Sequence, residues 1–489
     1  MRRFLLIITV LVVASCNVKV SHPLIVEEAP AIFPDYVGVT VPATIAPLNF
    51  CMEDESAECM DVVIEGAAGG EMHVRGRKTA AFPSGKWREL LEANRGGTLK
   101  VSVSALYDKQ WKSYTPFDIF ISDDDIDSHI VYRLISPSYG TVGQIGLYQR
   151  DITSFRQESV FESREFNACF NCHAFRKCEP DMMTLHVRGP QGGTLINTSD
   201  DGLRIFNTKT DSTISNCAYP YWHPSGRYIA YSTNRTAQGY HQRADKMLEV
   251  YDSASDVNVY DIEKNELISA PWVSRPEMLE SFPVFSADGR TLYFTCAEAQ
   301  EIPAGITEIR YNLCKVAFDP ETGRIGNKVD TVIFAASAGK SVTIPKPSYD
   351  GRYIMYSLAD YGTFAVWHPE SDLWLLDLET GETSELKEAN SWNVECSHSW
   401  STNSRWFIFG SRRDNGLFTY LYICHLDADG RCAKPFLLPQ RRPREFYDNL
   451  MKSFNIPEFT SGTVSLERNK AVRGLNSGDR INFRYHLSE

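Results

Sequence analysis

Residues 219–234 read YPYWHPSGRYIAYSTN: an aromatic, proline-bearing strand, a polar turn ending at Gly226, an arginine, then an alternating apolar strand closing on Ser232 and Thr233. The same layout returns as SFPVFSADGRTLYFTCA from Ser281, IPKPSYDGRYIMYSLAD from Ile344 and CSHSWSTNSRWFIFGSRRD from Cys396. Gly226, Gly289, Gly351 and Ser404 are its equivalent turn positions, at spacings of 63, 62 and 53 residues. Further strands follow each hairpin, in VNVYDIEKNELI, LCKVAFDPETGRI, DLWLLDLETGETSEL and YLYICHLDADGRCAKPFLL, each broken by an acidic turn of the D-x-E-x-G kind, with Asn265 in the glycine's place in the first. Repeats of this length with four strands apiece are the signature of a β-propeller.

These segments resemble the TolB-like propeller repeat, whose core Trp222-His223-Pro224-Ser225-Gly226-Arg227 matches well. Four hairpins supply four blades. GGTLINTSDDGLRIFNTKT from Gly192 reads as a degenerate fifth, and Tyr132 to Phe155 as a sixth. The expectation is five to seven blades, with six favoured.

Outward from the repeats, residues 43–134 alternate in short strand lengths between Gly, Asp and Pro turns and predict a small β-sandwich-like domain. The chain is therefore expected to be mainly β: that domain, then a segment 135–188, a propeller over 189–442, and a C-terminal helix and tail over 443–489. The cluster Asp123, Asp124, Asp125 and Asp127 has no recognisable calcium spacing and reads as solvated turn residues.

Residues 1–15 carry Arg2, Arg3 and an apolar run from Phe4 to Val13, the layout of a signal peptide. Val13-Ala14-Ser15-Cys16 resembles a bacterial lipobox, in which Cys16 takes the lipid and 16–42 becomes a tether. Lys and Arg total 50 against 62 Asp and Glu, for a net charge of −12, which argues against nucleic acid as a partner. The chain has 12 cysteines, many for an exported protein to leave unpaired. Cys51 with Cys59, Cys296 with Cys314 and Cys424 with Cys432 are near enough in sequence to bridge, leaving Cys178, Cys217 and Cys396.

Cys169-Phe170-Asn171-Cys172-His173 is a C-x-x-C-H motif, the attachment signature of c-type haem. Two thiols add to the haem vinyl groups and His173 becomes the proximal iron ligand. Within EPDMMTLHVRG, His186 and then Met183 are the candidate distal ligands. Arg188 is a candidate partner for a propionate. Competing readings are a structural disulfide, and a zinc site completed by Cys178, His173 and His186. His223, His368 and His398 lie in or near the repeat turns and could meet near a propeller axis as a metal or haem-ligand site, but packing is the favoured reading for such histidines, with His398 in SHSWS the one to watch. Asp252, Asp256 and Asp261 read as turn caps rather than calcium ligands. G-x-S-x-G, a phosphate loop and H-E-x-x-H are all missing, so no hydrolase is indicated.

Taken together, the chain resembles the TolB-like propeller lipoproteins of the Bacteroidetes that carry C-x-x-C-H between an N-terminal β-domain and the propeller. The matching stretches are APLNF at Ala46, VYRLISPSYG at Val131, IGLYQRDITSF at Ile145, CFNCHAF at Cys169, HVRGPQGGTL at His186, HSWSTNSRW at His398 and KPFLLPQ at Lys434. The resemblance implies one covalent haem c. Asn17, after the lipidated cysteine, gives no acidic retention signal, so an outer-membrane anchor facing the periplasm is expected, with the cell surface as the other placement. It leads to two expectations of function. One is a tethered monohaem protein in electron transfer or redox-linked docking. The other is a non-catalytic propeller scaffold with structural cysteines, binding a protein, peptide or glycan. A haem enzyme such as a peroxidase would need a vacant iron position, which His186 and Met183 argue against.

Overall fold

A computed structural model describes residues 19–136, 144–165, 168–189, 192–243 and 246–488. Six four-stranded antiparallel units follow one another around a ring. Blade 2 runs from Phe170–Arg176 through Glu179–Val187 and Gly193–Thr198 to Gly202–Asn207. Blades 3, 4, 5 and 6 begin at the inner strands Cys217–Trp222, Met278–Phe285, Ser341–Pro347 and Glu395–Trp400. Blade 1 is assembled from both ends of this region: its inner strand is Ser453–Thr460, paired with His129–Ile135, then Gly146–Asp151 and Gln157–Glu162. Each inner strand packs on the next, and that of blade 1 touches those of blades 6 and 2, so the ring of six closes.

The boundaries expected from sequence shift accordingly. The propeller spans 129–460 rather than 189–442, and the segment 135–188, read as the haem-attachment segment with a possible share in a blade, supplies strands to blades 1 and 2. The stretch after Pro443 is helical only to Asn449; it then becomes the strand that closes the ring, with Pro457 inside it. Beyond it, Ile481–Asn482 and Arg484–Leu487 lie parallel along the outer edges of blades 2 and 3.

One local device repeats in all six inner strands. Ile456, Cys172, Tyr219, Phe282, Ile344 and Ser397 have φ between 45° and 55°, and the strand register shifts across each of them. An extra residue in the left-handed region is a β-bulge, which leaves the following N–H outside the ladder. Proline, which has no N–H, is therefore tolerated at the next position. It stands there in four blades, as Pro457, Pro220, Pro283 and Pro345; blades 2 and 6 have His173 and His398 instead. The turns of the sequence repeat also appear, with Gly226, Gly289, Gly351 and Ser404 all at positive φ. The arginine after the turn reaches the third strand of its own blade: Arg227 pairs with Asp261 at 2.7 Å and Arg352 with Asp377 at 2.9 Å. Asp261 thus works as a turn and ion-pair residue.

The N-terminal domain corrects two expectations. It is one mixed seven-stranded sheet with the helix Ser84–Ala93 against it, rather than a two-sheet sandwich. Trp87, Leu90 and Leu91, spaced i, i+3 and i+4, form the buried stripe of that helix. Nor is the region before residue 43 wholly a tether. Leu24–Val26 pairs with Gln110–Tyr114, Thr40–Pro42 pairs with Phe117–Ser122, and Tyr36, Val39 and Val41 are fully buried. The acidic cluster docks this domain on blade 6. Asp127 accepts bonds from the Thr402 N–H (2.7 Å) and hydroxyl (2.6 Å), Asp124 pairs with His425 at 2.7 Å, and the Asp125 carbonyl accepts from Asn403 at 2.6 Å.

Candidate functional site

The bulges order two spaces along the propeller axis. The bulge residues Cys172, Tyr219, Ser397 and Ile456 border both spaces. Residues one position further along the strands face only a chamber of about 60 Å³, ringed by the four prolines, His173 and His398. Residues before the bulge, among them Cys169, Asn171, Cys396 and Asn455, face only a larger cavity of about 450 Å³. The chamber therefore adjoins the floor of the cavity, with His173 on the chamber side and both motif cysteines on the cavity wall.

The chamber is small and polar at four points. His173 is 2% exposed, and neither ring nitrogen makes a well-formed hydrogen bond. Burial, with Arg133 and Lys346 adding positive charge nearby, pulls its pKa down to about 3; the Ile456 backbone opposes this only in part. His398 is likewise held down to about 3 by burial; its Nε2 lies 3.1 Å from the Met355 carbonyl, and Nδ1 has no partner. Both rings are therefore neutral at ordinary pH. Glu458 accepts the Phe175 N–H at 2.9 Å on one oxygen while the other is unpartnered, and burial pushes its pKa up to about 7. Lys346, opposite in charge, is lowered by the same burial.

The cavity has the opposite character: apolar walls set with cations. Phe364, Val366 and Trp367 of the blade 5 loop and Leu248 and Val250 of the long blade 3 hairpin form much of the wall. That hairpin is fixed to blade 5 through Glu249, which sits 2.9 Å from His368 Nε2 and accepts the Tyr361 hydroxyl at 2.9 Å. Glu370 lies 3.2 Å from the other nitrogen of His368. Three arginines, Arg133, Arg188 and Arg412, face the cavity, and among the described lining residues there is no Asp or Glu. Arg133 is buried and donates only to neutral acceptors, the Phe170 carbonyl (3.0 Å) and the amide oxygens of Asn171 (3.2 Å) and Asn455. Arg412, also buried, lies over the Trp367 ring and donates to Thr419 at 3.1 Å, with Nη1 unpartnered. Burial pulls its pKa down to about 9. A buried guanidinium without counter-charge is costly, commonly several kcal/mol, and a negative charge in the cavity would offset that cost.

The residues singled out from sequence divide cleanly. Cys169, Cys172 and His173 come together, and Arg188 joins them on the cavity rim. Met183 does not: it is buried in the core between blades 1 and 2 with Phe170, Phe175 and Leu195. His186 pairs with Thr194 at 2.9 Å and faces a different pocket, beside Gly192 and Arg480. Both stand on the second strand of blade 2, three positions apart and therefore on opposite faces, and neither lines the chamber or the cavity. Cys178 is buried against the Trp400 carbonyl, and no cluster of three or more metal-ligating side chains occurs among the described residues, so the zinc arrangement does not form. Of the three histidines read mainly as packing residues, His398 alone lines the axial chamber. His223 bonds within the turns at Gly289, and His368 serves the hairpin latch. Cys16 lies outside the described residues. Sequence reading missed Arg133, Arg412, Lys346 and Glu458. The bulge register would have found the last two, which sit two positions past Ile344 and Ile456.

No protein-family profile matches the chain, and no curated protein matches it. Among solved structures it is similar to an oligogalacturonate lyase from Vibrio parahaemolyticus (12% identity, TM-score 0.37, 60% of this chain and 71% of that one). It is also similar to a DUF4784 family protein from Bacteroides caccae (8%, TM-score 0.32, 73% and 94%). A third is a putative 6-phosphogluconolactonase from Bacteroides fragilis (11%, TM-score 0.32, 64% and 96%). These likenesses concern the propeller fold alone.

Proposed function

We propose that this chain is an exported, lipid-anchored monohaem c-type propeller protein that exchanges electrons with a docked partner. The observation that carries the reading is the joint placement of Cys169 and Cys172 on one arginine-set cavity of about 450 Å³, whose described lining holds no Asp or Glu, with an unpartnered, neutral His173 in the chamber that adjoins its floor. The residues fit the group on three counts. The thiols share one wall, the imidazole next to Cys172 has both nitrogens free of well-formed hydrogen bonds, and Arg133, Arg412 and Arg188 match two propionates. A structural disulfide between Cys169 and Cys172 would explain neither the arginines nor the orphaned imidazole.

Bound there, a haem supplies a one-electron couple. The protein's part is in its own side chains. Cys169 and Cys172 fix the group covalently to an inner strand held by ladder bonds on its blade and packed by both neighbours. His173 stays neutral because burial opposes its protonation, as ligation of iron requires. The arginines hold negative charge within an apolar wall, and Phe364, Val366 and Trp367 limit water there. Anchoring through Cys16 keeps the protein at a membrane, and the ring's outer surface is left for a partner. The test is a pyridine haemochrome spectrum with intact mass on protein made alongside c-type maturation machinery. One covalent haem, lost in Cys169→Ala/Cys172→Ala, is expected. A colourless product of unmodified mass would shift the role to partner binding by the propeller alone.

A further inference from the structure

We infer that the long hairpin of blade 3 is a proton-sensitive gate on the cavity: a charged His368 bridges Glu249 of the hairpin and Glu370 of blade 5, and loss of its proton frees the hairpin. Tyr228–Tyr240 pairs with Leu248–Asp261, but the inner strand of the blade accompanies them only as far as Thr233, which stands opposite Cys217. Beyond that point Thr236–Tyr240 and Leu248–Asp252 form an arm two strands wide. A two-stranded ribbon is marginal on its own in water, so the arm's position is set by what it leans on. Its first strand is exposed from Arg235 to Gln238 and again at Tyr240. Thr236, Gln238, Tyr240, Leu248 and Val250 nevertheless line the cavity, so displacing the arm opens that wall.

The arm has an apolar and a polar hold on blade 5. Met247 and Leu248 pack with Phe364, Val366 and Trp367. Beside them, His368 and Glu249 are both buried, with Nε2 of the ring 2.9 Å from Glu249 and Nδ1 3.2 Å from Glu370. A neutral imidazole has one N–H, so carboxylates at both nitrogens are served only by the charged ring. Burial works against that charge, but the two carboxylates outweigh it and hold the imidazole above its ordinary value. Despite burial, His368 in turn helps hold Glu370 down to about 2 and Glu249 below its usual range. The other groups facing the latch are Lys246 of the arm, 3.3 Å from Glu249, and Tyr361, whose hydroxyl donates to Glu249 at 2.9 Å. Arg243 approaches Tyr361 from the arm, and the phenol is raised by burial and by Glu249, so it keeps its proton. Behind Glu370, Asp372 is pushed up to about 6 by burial and by Glu385. A histidine raised in the closed state holds the latch fully below its free value of about 6.5 and releases it as pH rises through the raised one. One carboxylate then faces a ring lone pair, and only the apolar contacts and Lys246 still hold the arm.

The test is hydrogen exchange read by peptide mass over residues 236–252, on the full exported chain with and without haem. After correction for intrinsic rates, protection of the arm is expected to fall between about pH 6.5 and about pH 9.5, while Cys217–Trp222 of the same blade stays protected. Glu370→Gln is expected to keep the fold and move the fall to lower pH. His368→Gln is expected to abolish the fall and leave the arm weakly protected throughout. At one pH near 7, iodoacetamide is expected to alkylate Cys396, which lines the cavity and packs in the same apolar cluster, faster in His368→Gln than in the parent. Arm protection that is flat with pH in the parent overturns the inference. So does a fall that persists unshifted in both variants, or equal Cys396 rates.

Discussion

At the scale of single residues, the axial chamber shows how one burial acts on acids and bases in opposite senses. Glu458 is raised to about 7 from an ordinary 4.5. A carboxyl raised in the folded state favours folding below its unfolded pKa, and that contribution is lost as pH rises through about 7. Glu458→Gln is therefore expected to increase stability at pH 8 by about 3 kcal/mol. The gain should vanish near pH 4, as read by urea denaturation of variant and parent at both pH values. An unchanged difference across that range would mean that Lys346 compensates the charge fully. His398 has the reverse sign. Held down to about 3, it contributes stability above its unfolded value near 6.5 and loses it progressively as pH falls toward 3.

At the scale of elements, what the sequence made readable depended on whether the signal was local. Blades 3 to 6 announce themselves because turn, arginine and apolar strand lie within one hairpin. The closing strand was hidden because Pro457 reads as a breaker; it is tolerated only through the bulge at Ile456, which has no local signature. The helix Ser84–Ala93 was available in the spacing of Trp87, Leu90 and Leu91 but was submerged among strand-like neighbours. Cysteine pairing sorts in the same way. The Cys296 and Cys314 side chains adjoin within blade 4, as do Cys424 and Cys432 in blade 6. Cys51 instead faces Arg444 and the Phe33 carbonyl, away from Cys59. Non-reducing peptide mapping of protein exported to an oxidising compartment is expected to find 296–314 and 424–432 linked and no 51–59 link. A 51–59 bridge would contradict this packing.

At the scale of the whole molecule, the ring explains why half of the site could be read from the chain and half could not. Cys169, Cys172 and His173 are adjacent in sequence, and their chemistry is carried by spacing alone. Arg133 and Arg412 stand on blades 1 and 6, nearly the full propeller apart in sequence, and meet only because Ser453–Thr460 closes blade 1 between blades 6 and 2. Met183 and His186 went the other way: closeness in sequence suggested ligation, whereas the antiparallel pairing of Phe170–Arg176 with Glu179–Val187 sets them on the second strand of blade 2, one strand out from the axis. The central claim is that the inner strand of blade 2 carries a covalent haem. Its most direct measurement is the mass of the tryptic peptide spanning residues 165–176, from protein matured with the c-type attachment machinery. The account predicts this peptide carrying one haem on Cys169 and Cys172. Recovery of the same peptide with both thiols free, or joined to each other, would contradict it.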